Sequence, residues 1–215
     1  MGIYIEALIL YVVLFFSDST GKFTNGGGAG FSTAAELIRI FIYTVPSIAL
    51  IWYLLLKVRR LREWDIMPGK KDLISGLITL PCLLITGFAI ASISSIGGTA
   101  AQVSLQSPST APQWIVLCIS CVSAAYLEES FFRFYLLSRR EELKLNAASA
   151  LVVSVALFSI CHIYEGPWGF LNSVLSGTLL AFIFLRYKSL HGIAVAHGLY
   201  NIAVYALNAM LAHNP

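Results

Sequence analysis

Seven long apolar runs constrain this chain more than any other feature. They are roughly Ile3–Phe16, Ile38–Leu56, Leu73–Ile96, Trp114–Leu137, Ala147–Ile163, Phe170–Leu185 and Ile193–Leu211. A bilayer core about 30 Å thick takes about 20 helical residues to cross. Inside it every backbone N–H and C=O must bond within the protein, so spanning segments are helices or closed barrels. Barrel strands alternate polar and apolar residues, and these runs do not. The expected fold is all-α, a polytopic transmembrane helical bundle of about seven spans. The first and sixth runs are short, and an eighth crossing or re-entrant piece has room near residues 25–34.

Composition fits one integral-membrane domain over residues 1–215 better than soluble domains. Of the 215 residues 58% are hydrophobic and only 12% charged, where soluble domains carry about 25% charged residues. The first run lacks a basic leader and contains Glu6, and no small-x-small site follows at Ser17-Asp18-Ser19. It reads as a retained helix rather than a signal peptide.

The basic residues cluster: Lys57, Arg59, Arg60, Arg62, Lys70 and Lys71; then Arg139, Arg140 and Lys144; then Arg186 and Lys188. All three clusters follow even-numbered spans. The positive-inside rule puts them in the cytoplasm, with the N-terminus, and puts the C-terminus on the opposite side. They lie at membrane borders with no aromatic platform or recognition motif, so nucleic acid is not an expected partner; the lipid bilayer is.

Other features offer little chemistry. Cys82, Cys118, Cys121 and Cys161 all lie in apolar runs, where free cysteine packs as a small hydrophobe. The C-x-x-C spacing of Cys118 and Cys121 reads as one helical face rather than a redox or metal motif. Asn25–Gly30 is glycine-rich but lacks a preceding strand and the Lys-Ser/Thr of a phosphate loop. His191 and His213 fall near span ends and are given no role.

Polar groups at membrane depth are informative because each ionisable side chain there costs about 2.5–3.5 kcal/mol even on the lenient insertion scale. Three runs carry them. Glu128, Glu129 and Arg133 interrupt the fourth; His162 ends the fifth; His197 and Asn201 interrupt the seventh. Glu129 and Arg133 are i, i+4 neighbours, spaced for an ion pair. Glu128 is rotated about 100° from Glu129 and is free to face a cavity. His197 and Asn201 are likewise i, i+4 and together present hydrogen-bond donors suited to a developing oxyanion. At 1.5 Å per residue, Glu128, His162 and His197 fall at different depths, so tilt or shifted boundaries must bring them level.

Together these residues resemble the CPBP family of intramembrane proteases, the CAAX-prenyl-protease-like and bacteriocin-processing enzymes. Its pattern is E-E-x-x-x-R, F-x-x-x-H and H-x-x-x-N on three helices. The chain has Glu128-Glu129-Ser-Phe-Phe-Arg133, Phe158-Ser-Ile-Cys-His162 and His197-Gly-Leu-Tyr-Asn201, all within Ala124–Asn201. The resemblance implies an endopeptidase in which Glu128 and His162 activate water, His197 and Asn201 form the oxyanion hole, and Glu129 with Arg133 supports the site. It implies a peptide or protein substrate, prenylated or otherwise membrane-associated. No cofactor is favoured. Zinc is feasible from Glu and His donors, although H-E-x-x-H is missing. Two rivals stay open: a non-catalytic immunity or adaptor protein on the same scaffold, and a proton-coupled transporter.

Overall fold

The computed structural model describes residues 2–16, 31–57, 67–96 and 106–213. The glycine-rich stretch Asn25–Gly30 and the basic residues Arg59, Arg60 and Arg62 lie outside them. Helix α1 runs Ile3–Tyr11 and ends in a wide π-type turn, Val12–Phe16. Helix α2 is Thr33–Leu56, with a second wide turn at Arg39–Thr44. Helix α3 is Lys70–Ile96, and α4 is Ala111–Ser138, with a third wide turn at Ser130–Tyr135. Helix α5 is Ala147–Cys161. One 3₁₀ turn, Ile163–Glu165, leads into α6, Gly166–Tyr187, and α7 is Leu190–His213. No strand occurs among the described residues.

Five helices, α2, α3, α4, α6 and α7, are long and apolar enough to cross a bilayer; α1 and α5 are shorter apolar helices. The protein is a multi-pass, all-α membrane bundle. One expectation is corrected. The sixth run reads as short, yet α6 has 22 residues. Gly166, at φ +78°, and Pro167 in the first turn open the helix before the apolar stretch begins. Besides α1, which is short as expected, the short element is α5, with 15 residues.

The sequence explains how the elements start and bend. Asn146 caps α5 by accepting from the Ser149 N–H (2.8 Å). Gln113 reaches back to the Thr110 N–H at the head of α4 (3.2 Å). Asp72 serves two helix starts at once. Its Oδ2 accepts from the Gly69 N–H of α3 (2.9 Å), and its Oδ1 accepts from Ser189 Oγ (2.5 Å) and the Gly192 N–H of α7 (3.3 Å). Pro46 follows directly on the wide turn of α2, where a widened turn eases the clash of its ring with the preceding carbonyls.

Side chains from neighbouring helices bond to the wide turns. Tyr43 of α2 donates to Leu14 O of α1. Ser154 of α5 donates to Phe132 O of α4 (2.6 Å), and Trp52 Nε1 of α2 donates to Ser130 Oγ (3.0 Å). In the core α7 packs against α3 and α4, and α6 against α3 and α5. Tyr11, Phe15, Phe131, Phe132 and Phe158 form a continuous aromatic wall. Large apolar side chains such as Ile85 and Phe88 face outward, as a lipid-facing surface requires.

Candidate active site

The acids stand where α4 changes pitch. Glu129 is the last residue of its regular part and Arg133 lies inside the wide turn. Both are fully buried. Arg133 Nη1 donates to Glu129 Oε1 (3.1 Å), and Nη2 donates to the carbonyl of Gly177 on α6 (3.2 Å). The guanidinium stacks over Phe158 of α5, 4.3 Å from its centroid. One cation thus ties α4, α5 and α6 together.

Helix α7 supplies the next member. His197 Nδ1 lies 2.9 Å from the same Glu129 Oε1. An ionised carboxylate only accepts, so Nδ1 carries the hydrogen. That hydrogen bond turns Nε2 toward Glu128, whose Oε2 is 3.8 Å away. Glu128 Oε2 is buried and has no hydrogen-bond partner among the described residues. Glu129 is therefore the structural acid, holding an arginine and a histidine on one oxygen. Glu128 is the available one.

His162 lies against the Phe158 ring. It is not in the interior of α5 but at its C-cap, with φ −103° and ψ 7°. Its Nδ1 donates to Phe158 O (2.8 Å), its ring is 4.5 Å from that of Phe158, and it stacks with Tyr164 at 6.3 Å. The Phe158 ring is also 6.1 Å from that of His197. Asn201 lies one turn beyond His197 on α7, half-buried.

The structure thus joins Glu128, Glu129, Arg133 and His197 directly, sets His162 one aromatic ring away, and leaves Asn201 a turn along. The sequence reading pairs Glu128 with His162; in the structure His197 is the histidine against Glu128. The depths reconcile because α7 starts three residues before its apolar run, at Leu190. That sets His197 about 10 Å into the helix.

Two site glycines are not flagged by the sequence reading. A Cβ on Gly177 would meet Phe158 Cδ1 at 2.9 Å and Arg133 Nη2 at 3.5 Å. A Cβ on Gly198 would meet Val122 Cα of α4 at 2.8 Å. The available signal is the small-residue run Ser176-Gly177-Thr178, of the type that lets membrane helices approach closely. Because the obstacle at Gly198 is backbone, Gly198→Ala must push α7 off α4 and carry His197 away from both acids. The expected result is a loss of about 1–3 kcal/mol of stability from overpacking, read by thermal melting in detergent. Turnover should fall about tenfold or more, as it does for small misplacements.

Two adjacent acids, an arginine clamp and a histidine held by one of them thus come together within a helical membrane bundle. Residues 110–203 match the family model described as type II CAAX prenyl endopeptidase, Rce1-like, and over this segment the chain is similar to the CAAX-protease family of membrane endopeptidases. The matched segment runs from the head of α4 into α7; α1, α2 and α3 lie outside it. No curated protein and no solved structure matches the chain at a significant level.

Proposed function

We propose that this protein hydrolyses a peptide bond of a membrane-associated substrate, prenylated at its C-terminus or otherwise lipid-embedded, with water activated by Glu128. The observation that carries the reading is the buried, unpartnered Glu128 Oε2 facing His197 Nε2 at 3.8 Å. A water at about 2.8 Å from both atoms, an ordinary hydrogen-bond length, forms the apex of a triangle on that edge.

Glu128 takes the proton as the water oxygen attacks the carbonyl carbon. The carbonyl π electrons move to oxygen, and the oxyanion is met by His197 Nε2–H and the Asn201 amide. Glu128 returns the proton to the leaving nitrogen, the C–N bond breaks as the carbonyl re-forms, and a carboxylic acid and an amine leave, the acid then passing its proton to the amine or to solvent. Acting as the donor to the oxyanion, His197 carries a hydrogen on Nε2 as well as on Nδ1. Its Nδ1–H remains on Glu129 throughout. His162, whose Nδ1 is bonded to Phe158 O, keeps Nε2 to take up and release a proton on the α5 side of the site.

Zinc is the other chemistry to weigh. Glu128 Oε2 and His197 Nε2 are close enough to share an ion, but among the described residues no three of His, Cys, Asp and Glu converge, whereas a catalytic zinc site takes three protein ligands. The residues do not form such a cage, so the proposed route runs through side chains and water. Exhaustive chelation should leave cleavage unchanged; loss with rescue by added zinc would reverse this.

The positive-inside pattern supports a cytoplasmic N-terminus and a C-terminus on the opposite side. The deciding experiment incubates detergent-solubilised protein with farnesylated and unfarnesylated peptide libraries, with Glu128→Gln alongside, and reads products by mass spectrometry. Cleavage by wild type alone supports the reading and names the substrate class. Equal products from both sink it.

A further inference from the structure

Helix α1 lies outside the family-matched segment, yet it holds the end of the helix that carries His162. Regular bonding stops there: the His162 N–H donates to Ser159 O (3.0 Å) rather than one residue earlier. Phe158 O accepts His162 Nδ1 instead. The ring therefore rests on its own last turn, and any looseness of that turn moves it.

Tyr11 of α1 grips this turn. Its hydroxyl donates to Leu157 O (3.1 Å), and Cys161 Sγ, next to His162 in sequence, contacts both the Tyr11 hydroxyl (3.5 Å) and Leu157 O (3.2 Å). The buried Tyr11 ring lies 6.4 Å from both Phe131 and Phe132, and Phe132 meets Phe158 edge-on at 5.3 Å. Hydroxyl and ring thus reach the two sides of His162, its helix turn and the aromatic ring against it.

We infer that Tyr11 is a positioning residue for His162, so that α1, outside the matched segment, is part of the working site. This rests on the hydrolytic reading above. Helix α1 supplies its own control. Tyr4 also donates its hydroxyl to a backbone carbonyl, Leu143 O at 2.8 Å, but in the loop before α5.

The test measures kcat and KM for Tyr11→Phe, Tyr4→Phe and Glu128→Gln on a peptide that wild type cleaves, with melting curves for each. Tyr11→Phe keeps the ring and removes only the hydroxyl. It should lower kcat about tenfold, as sub-ångström to ångström misplacement does, with KM unchanged and kcat taken per folded molecule below its own melting temperature. Tyr4→Phe should keep wild-type kcat. Wild-type kcat for Tyr11→Phe, or an equal fall in both tyrosine variants, overturns the inference while an inactive Glu128→Gln leaves the hydrolytic reading standing. An active Glu128→Gln overturns that reading, and this inference with it.

Discussion

Glu128→Gln should abolish turnover without disturbing the fold. Glutamine has almost the shape of glutamate but cannot take a proton from water, and general-base catalysis is typically worth about 10²–10⁴-fold. Glu128 Oε2 has no hydrogen-bond partner among the described residues, so at that oxygen the substitution breaks no short hydrogen bond and loses only the longer contact with His197 Nε2 (3.8 Å). Melting should stay within a few degrees of wild type while cleavage falls by that factor. A variant that keeps its activity would remove Glu128 from the reaction. One that unfolds would show the residue to be structural.

Arg133→Ala should do the opposite, removing stability first and activity as a consequence. The guanidinium is fully buried and bonds Glu129 and the Gly177 carbonyl. Removing it leaves a carboxylate in the interior without its cation, a type of change that costs about 3–5 kcal/mol. His197, held by the same Glu129 oxygen, loses its anchor geometry as well. Arg133→Lys should recover only part, because an ammonium cannot present the planar fork that spans two acceptors. The double variant Glu129→Gln/Arg133→Met should melt higher than Arg133→Ala, since no charge remains uncompensated. If Arg133→Ala melts like wild type, the buried pair does not hold the bundle.

Much of this was legible in the sequence because lipid makes polar residues conspicuous. Apolar runs found seven helices, and the acids, arginine and histidines stood out against them. The Glu129–Arg133 pair followed from i, i+4 spacing, and the freedom of Glu128 from its 100° offset. The partner of Glu128 was not legible, because which of two histidines meets it depends on how α5 and α7 lean, and no local pattern encodes that. The position of His162 at a helix end was legible, since it closes the fifth apolar run and the helix ends at Cys161. The work of Gly177 and Gly198 was hidden, because a missing Cβ matters only once the facing surface, Arg133 and Phe158 or Val122, is known. The true start of α6 was marked by Gly166-Pro167, a signal weaker than the hydropathy that concealed it.

The wide turn at Ser130–Tyr135 gives α4 a seam. Upstream of it the helix aims Glu128 and Glu129; downstream it aims Leu136 and Leu137 into the core, both buried. The two halves keep their bearings through the extra backbone that the turn absorbs. Adding a residue that the turn cannot absorb would swing one half by about 100° against the other, so the acids and the packing below could not both be satisfied. Substitutions in this stretch alter single contacts, but a change of length alters every contact on one side of it. The spacing from the acid pair to the end of α4 is therefore fixed by count as much as by chemistry.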